Sequence, residues 1–181
     1  DGRVVHVQQL AQDSVLRENG VGILIDTGRS VVYQPQNVSH ADLVYNTLTV
    51  PRCCEYRMVL ADGTQVWLNS ESELRFPVNF TGSERRVFLK GEAYFQVAKD
   101  ETKPFRVETG ALEIEALGTQ FDVNAYRDNG QWMTTLVEGR VRVSVGGTKQ
   151  TCVLEPGKQA LLHNNVLTVS DANVEEITGQ I

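Results

Sequence analysis

Apolar residues in this chain recur mainly with a period of two. Residues 66–68, 87–89, 93–97 and 141–145 are rich in β-branched and aromatic side chains and are the clearest examples. A period of two predicts β-strands, because successive side chains of a strand point to opposite faces. Long helical periodicity is almost absent, and only residues 7–17 are predicted to form a short helix.

Turn residues separate the predicted strands. Pairs that end in glycine are typical of tight turns, because glycine accepts the positive φ that such turns need. Pairs of this kind occur at residues 62–63, 81–82, 129–130, 146–147 and 156–157. The pattern predicts an all-β chain with many short strands and little helix.

An internal repeat is also visible. Residues 63–69 (Gly-Thr-Gln-Val-Trp-Leu-Asn) match residues 118–124 (Gly-Thr-Gln-Phe-Asp-Val-Asn), and residues 89–97 match residues 137–145 in the same order. The matches indicate a β unit of roughly fifty residues that is used twice. Stacked hairpins bury apolar faces that one hairpin cannot bury alone. We therefore expect repeated hairpin units that form a β-sandwich or a solenoid-like stack.

The length of 181 residues suits one domain or two small ones. No linker rich in Pro, Gly or Ser divides the chain, and the polar residues 34–42 are the best candidate for a long loop. We predict one elongated region over residues 1–181, with an N-terminal β lobe at 1–50 and a repeated core at 51–170.

The charge of the chain disfavours nucleic acid as a partner. The net charge is −6, and the only adjacent basic pair, Arg85 and Arg86, follows Glu84. No stretch is long and apolar enough for a transmembrane helix. Because the chain begins at Asp1 without a methionine, we expect it to be a fragment of a longer protein.

The sequence contains no familiar catalytic or metal-binding motif. None of the three histidines, His6, His40 and His163, has a second histidine two to four residues away, as a cupin-type metal site would need. Gly-x-Ser-x-Gly and glycine-rich phosphate loops are also absent from the sequence. We expect no enzymatic activity, no catalytic residues, no cofactor and no metal.

Two pairs of glutamates have the spacing of candidate acid–base pairs. Glu71 with Glu73, and Glu113 with Glu115, are two residues apart, a spacing that puts side chains on one face of a strand. Glycosidases use two facing carboxylates. Such spacings are frequent in acidic β-proteins, so a solvated charged face is the favoured interpretation.

The three cysteines leave the redox state open. Cys53, Cys54 and Cys152 could give one disulfide and one thiol, a strained vicinal disulfide, or three thiols. Three thiols are the favoured interpretation, since neither a zinc spacing nor a Cys-x-x-Cys redox pair is present.

The aromatic residues of the predicted strands have two interpretations. Aromatic side chains in β-proteins fill the core more often than they bind sugar. An exposed aromatic strip beside a groove would instead favour a carbohydrate-binding module. The residues concerned are Trp67, Tyr94, Phe95, Phe105, Phe121 and Trp132.

Seven segments resemble the FecR family of anti-sigma regulators in order and spacing. They are residues 59–69, 74–77, 86–97, 103–107, 117–126, 134–141 and 154–160. The Val-Trp-Leu-Asn run and the Gly-Glu-Ala-Tyr-Phe run are similar to those of family members from Bacteroidetes. One departure is at residues 52–54, where Arg-Cys-Cys replaces the Arg-Gly-Gly that members often carry. Glycines there would suit a tight bend or bulge.

The resemblance implies a role in signalling. It implies a periplasmic sensor region, tethered to the inner membrane by one transmembrane helix outside this sequence. The implied partners are the signalling domain of a TonB-dependent outer-membrane transporter, regulatory proteases, and an extracytoplasmic-function sigma factor that binds a cytoplasmic segment. Partner-contact residues are not assigned by the sequence. The alternative function is a carbohydrate- or ligand-binding β module that senses directly.

Overall fold

Strands make up nearly all of the regular structure. The computed structural model describes residues 14–18, 21–26, 30–34, 44–126 and 130–179, which contain sixteen strands and one short helix. The predicted all-β class is confirmed. The helix predicted at residues 7–17 is wrong where it is described, because residues 14–18 form a strand, whereas residues 7–13 lie outside the described residues.

The elements follow one another in this order. The strands are β1 Ser14–Glu18, β2 Val21–Asp26, β3 Ser30–Gln34, β4 Tyr45–Thr49, β5 Tyr56–Val59, β6 Gln65–Leu68, β7 Glu73–Pro77, β8 Arg85–Gln96, β9 Phe105–Glu108, β10 Leu112–Ala116, β11 Gln120–Ala125, β12 Gln131–Glu138, β13 Val141–Val145, β14 Thr151–Leu154, β15 Lys158–His163 and β16 Val166–Asp171, and the helix is α1 Val174–Thr178. No helix among the described residues has the length and apolar character needed to cross a membrane.

The strands form two sheets that share β8. The first sheet has the order β1-β2-β3-β5-β6-β8-β11-β12-β15-β16, and the second has the order β4-β7-β8-β9-β10-β13-β14. Neighbouring strands are antiparallel except for the β3–β5 and β8–β9 pairs, which are parallel.

Strand β8 passes from one sheet to the other at Gly91. Residues 85–90 pair with β7 and β9 in the second sheet, whereas residues 91–96 pair with β6 and β11 in the first. Gly91 has a φ of +86°, a conformation that L-residues rarely adopt. The bend lets one long strand of 12 residues contribute to both sheets.

One apolar core fills the space between the two sheets. Phe95 of the first sheet lies 6.0 Å from Phe105 of the second, centroid to centroid, and stacks on Phe121 at 5.3 Å. All three rings are completely buried. The predicted core role of these three aromatic residues is confirmed, whereas Trp67 and Tyr94 lie on the outer face of the first sheet.

The repeat seen in the sequence has a partial structural counterpart. Residues 63–69 and 118–124 supply β6 and β11, which flank β8 at the same register, so that Val66 and Phe121 both face Phe95. The second match shares a local feature, since Gly91 and Gly139 both have positive φ. The direction differs: β8 runs from the second sheet to the first, and β12 followed by β13 runs from the first to the second.

Candidate functional site

A row of five side chains crosses the outer face of the first sheet. Arg57, Trp67, Tyr94, Asp122 and Thr135 are consecutive cross-strand neighbours on β5, β6, β8, β11 and β12. They share this face because the flanking residues of each strand, such as Phe121 and Val123 beside Asp122, point into the core.

The two aromatic rings of this row pack against each other. Trp67 and Tyr94 meet edge to face, with ring centroids 5.7 Å apart and an interplanar angle of 71°. The guanidinium carbon of Arg57 lies 5.1 Å from the centroid of the Trp67 ring, within the range of a cation–π interaction. The indole ring of Trp67 is therefore already covered by a cation.

The neighbouring row centres on Glu92. The side-chain amide of Asn69 donates to Oε2 of Glu92 at 2.7 Å, and the amide of Asn124 donates to Oε1 at 2.9 Å. Asn69 and Asn124 occupy equivalent positions of the sequence repeat. Both oxygens of this carboxylate are thus held in place from the two flanking strands.

A cavity of about 240 Å³ opens on this face, and we call it the outer cavity. Its walls combine residues of β5, β6, β8 and β11, and the residues that directly precede β5 and follow β6, with one residue of α1. The lining residues are Glu55, Tyr56, Arg57, Trp67, Leu68, Asn69, Glu92, Ala93, Tyr94, Asp122 and Ile177.

Asp122 is the buried carboxyl group of the outer cavity. Its side chain is only 6% exposed, and it forms no ion pair with any described residue. Burial, together with the negative charge of Glu92, raises the pKa of Asp122 to about 8, against the lowering effect of the Val123 backbone N–H. Burial also raises the pKa of Tyr94, whose hydroxyl donates to Oε1 of Gln120 at 2.9 Å.

The outer face of the second sheet carries a different arrangement, a ladder of ion pairs. Arg86 contacts Glu108 at 2.6 Å and Glu113 at 2.9 Å, and Arg106 contacts Glu113 and Glu115. Glu113 and Glu115 do share one face, as the sequence indicated. Because arginines neutralise both of them, they form a charged face and not an acid–base pair.

The other glutamate pair, Glu71 and Glu73, does not lie within one strand. Glu73 lies in β7 and contacts Lys90 at 2.7 Å, whereas Glu71 lies in the preceding turn with a φ of +59° and contacts Arg52 at 3.0 Å. Glu71 and Glu73 therefore do not share one strand face, because the strand begins only at Glu73.

The histidines and cysteines of the described residues form neither a metal site nor a disulfide. His163 is exposed at the end of β15, and His6 and His40 lie outside the described part of the chain. No group of three or more His, Cys, Asp or Glu side chains suited to a metal ion occurs among the described residues. All three cysteines are described, and none is joined in a disulfide.

The outer cavity was not predicted from the sequence. A carboxyl group in a strand is ordinarily taken as solvent-exposed, so Asp122 gave no signal of its own. The sequence repeat did contain a usable signal, because it aligns Trp67 with Asp122 and Asn69 with Asn124. Aligned positions on strands that flank β8 are expected to lie on one face.

Comparison with known proteins gives a family match and similar solved structures. The profile of the family described as FecR protein matches residues 47–142. Two crystal structures of a proposed anti-sigma factor from Parabacteroides distasonis, at 2.50 and 1.65 Å resolution, are each 29% identical over 75% of this chain, with TM-scores of 0.72 and 0.71. The match covers 63% and 64% of those chains, which is less than two thirds of their length. No curated protein matches this chain.

Proposed function

Because the chain belongs to the FecR family, we propose that it is the periplasmic sensor part of a transmembrane anti-sigma factor. In this role it passes a signal from a TonB-dependent outer-membrane transporter to an extracytoplasmic-function sigma factor. The observation that carries the proposal is the family match over residues 47–142, which spans the shared strand β8 and both sheets around it. The similarity to the proposed anti-sigma factor of P. distasonis supports the same role.

The remaining parts of the proposal concern the intact protein. A single transmembrane helix tethers the sensor to the inner membrane, the sigma factor binds a cytoplasmic segment, and regulatory proteases release it. Within the sensor, we propose an N-terminal β lobe at residues 1–50 and a repeated core at residues 51–170, with the described strands β3 and β4 pairing with β5 and β7 of the core. A β-rich module with an outer face of paired charges is suited to contacts with proteins.

An edge strand is the proposed contact point for the transporter. Among the described strands β16 pairs with β15 alone, so part of its other side is open to accept another strand, although the Leu167 N–H already donates to Oε1 of Gln150 at 3.0 Å. It also exposes apolar side chains, with Val166 and Val169 being 56% and 48% exposed. Strand addition at this edge would bury both valines and satisfy the open backbone groups.

Direct sensing of a carbohydrate is the second candidate function. The outer cavity favours it, because Trp67 and Tyr94 line a concave surface beside hydrogen-bonding side chains. Sugar rings usually stack on an open aromatic face. Here the guanidinium of Arg57 lies over the Trp67 ring, and Tyr94 packs against Trp67 edge to face. Less of the indole ring is left for a sugar, so the relay function is the better supported.

Calorimetric titration with the N-terminal signalling domain of the cognate transporter tests the relay. The chain is compared with a version extended beyond residue 181 and with a Val166→Lys/Val169→Lys variant. Leu117→Lys is the control, because it alters a similarly exposed apolar residue (45%) outside β16. We expect the chain and its extended version both to bind the signalling domain. The Val166→Lys/Val169→Lys variant should lose this binding, and Leu117→Lys should keep it. Binding by the extended version alone would remove the contact point from these residues, and absence of binding in both would favour direct sensing.

A further inference from the structure

The charges of the outer cavity favour a cationic ligand. Three carboxyl groups, of Glu55, Glu92 and Asp122, line the cavity, against one guanidinium, that of Arg57. Arg57 is exposed at the rim, where it lies over Trp67 and donates to Oε1 of Gln65. An anionic ligand would be repelled by the carboxylates of Glu55 and Glu92, whereas a cation would be attracted to them and would favour ionisation of Asp122.

One buried polar group of the cavity wall, the carboxyl group of Asp122, lacks a side-chain partner. Asp122 is 6% exposed, and no described side chain donates to it or forms an ion pair with it. The hydroxyl of Thr135, its cross-strand neighbour, is buried and has no hydrogen-bond partner among the described residues. Glu92 differs, since two amides occupy its oxygens. Buried polar groups are nearly always satisfied, so this wall is suited to a ligand that supplies donors.

The remaining walls suit an alkyl chain. Ile177 and the rings of Trp67 and Tyr94 give apolar surface, whereas the side chains of Leu68 and Ala93 belong to the buried core. The volume of about 240 Å³ admits a short aliphatic chain that ends in a charged head. An ammonium group is a donor only, and the side-chain oxygens of Asp122 accept from no described side chain.

We propose that the outer cavity binds a protonated alkyl amine, with its ammonium group at Asp122 beside Glu92 and its methylene groups against Trp67 and Ile177. The amine could belong to a small molecule or to a lysine side chain of another protein, and the shared chemistry is the alkylammonium group. This inference is independent of the relay function proposed above, because it concerns a different face from the open edge of β16.

Binding is coupled to ionisation of Asp122. Its raised pKa keeps the carboxyl group largely neutral at pH 7, and a bound cation favours the ionised form. Affinity therefore rises about tenfold per pH unit from pH 6 towards 8 and levels off above that. The titratable and charged groups that face Asp122 or line the cavity from neighbouring elements are Glu55, Arg57, Glu92, Tyr94 and Tyr126, with Glu138 acting on Tyr94.

Calorimetric titration with n-pentylamine at pH 6, 7 and 8.5 tests the proposal. The comparison uses Asp122→Asn, which keeps the shape of the side chain but removes its charge, and Asp171→Asn, which alters a carboxylate that is 88% exposed on β16. The expected results are binding that strengthens with pH, at least tenfold weaker binding by Asp122→Asn, unchanged binding by Asp171→Asn, and no binding of 1-pentanol.

Two further measurements sharpen the result. Nα-acetyl-lysine amide that binds as well as pentylamine would assign the cavity to a lysine side chain, and binding of pentylamine alone would assign it to a small amine. Titration at pH 7 in buffers of different ionisation enthalpy should show release of close to one proton per amine bound. Absence of amine binding at pH 8.5, or equal binding by folded Asp122→Asn, would overturn the proposal.

Discussion

Gly91 packs directly against Ser72 at the point where β8 crosses between the two sheets. A Cβ atom on Gly91 would lie 2.5 Å from Oγ and 2.8 Å from Cα of Ser72. The Ser72 hydroxyl accepts the backbone N–H of Glu92 at 2.8 Å and donates to the Glu92 carbonyl at 3.0 Å. The close approach therefore lets one serine hold the strand immediately after its bend.

Replacement of Gly91 by alanine tests this bend. Gly91→Ala should lower the free energy of unfolding by about 3 kcal/mol, because the positive φ strains any Cβ and because a backbone atom of Ser72 would have to move. Gly82→Ala is the matched control, since nothing lies within 4 Å of the added Cβ there. Urea unfolding should show a change within about 0.5 kcal/mol for the control. Equal effects of the two variants would contradict the role of the bend.

Arg85 is a buried cation that ties the start of β8 to a turn. It is 1% exposed, and its Nη1 donates to Oδ2 of Asp62 at 2.8 Å and to the carbonyl of Ala98 at the same distance. Nε donates to the carbonyl of Lys103 at 2.9 Å. The guanidinium thereby connects the β5–β6 turn with the segment that leads to β9.

Neutralising the partner of Arg85 should destabilise the fold. Asp62→Asn can keep the acceptor for the Thr64 backbone N–H, but it replaces the oxygen that accepts from Arg85 and the Thr64 hydroxyl and leaves a buried guanidinium without its counter-charge, which should cost about 2–3 kcal/mol. The control is Glu73→Gln, which disrupts the exposed pair with Lys90 and should cost less than about 1 kcal/mol. Thermal or urea unfolding measures both, and a loss for Asp62→Asn no larger than for the control would show that the buried pair is not stabilising.

Asp122 should make stability fall as the pH rises. Its pKa is about 8 in the folded protein and about 3.9 in an unfolded chain, so between these values only the folded state holds the proton. The free energy of unfolding then loses about 1.4 kcal/mol per pH unit from this one group. Asp122→Asn removes this loss. The free energy of unfolding of the variant, relative to that of the natural chain, should therefore rise by about 1.4 kcal/mol per pH unit from pH 5 to 8.

Urea unfolding at pH 5, 6, 7 and 8 measures this difference. Asp171→Asn is the control, because Asp171 pairs with Lys158, which lowers its pKa, so it is ionised throughout this range. The control should keep the slope of the natural chain. A constant difference between Asp122→Asn and the natural chain at all four pH values would contradict a neutral Asp122.

Cys53 occupies a position suited to glycine. Its φ is +58°, and its backbone N–H donates to Oγ of Ser70 at 2.9 Å, so the turn holds an L-residue in the left-handed region. Cys53→Gly should raise the free energy of unfolding by about 0.5–1 kcal/mol, because glycine adopts this φ without strain. Cys53→Ala removes the thiol alone and should leave stability nearly unchanged. If Cys53→Ala raised the free energy of unfolding as much as Cys53→Gly, the stabilisation would come from loss of the thiol and not from relief of backbone strain.

Local patterns in the sequence were sufficient to predict strands and turns. Residues 141–145 were predicted as a strand and form β13 with the same bounds, because alternation there reflects burial of one face. The turn at residues 62–63 joins β5 to β6, and Gly63 has a φ of +86°. The predicted helix at residues 7–17 failed where β1 is described, since short segments with mixed periodicity do not separate the two states.

The arrangement of the sheets and the buried charges could not be predicted in the same way. The pairing of β8 with β9 and with β11 depends on contacts between residues that are distant in sequence. A local hydrophobic pattern contains no information about such contacts. Arg85 and Arg86 look alike in the sequence, yet β8 points the first into the interior and the second to the ion-pair ladder. A buried arginine or aspartate is an exception to the usual exposure of charge, so it emerges only from the structure.

The central proposal is that this β-rich region passes a transporter signal to a sigma factor. The most direct measurement is transcription from a promoter that depends on that sigma factor, with and without the ligand of the transporter. Cells carry the intact regulator, a version in which residues 44–171 are replaced by an unrelated β-domain, or the Gly82→Ala control. The proposed relay predicts that ligand changes transcription in the intact and control cells but not after the replacement. Full ligand-dependent induction after the replacement would contradict it.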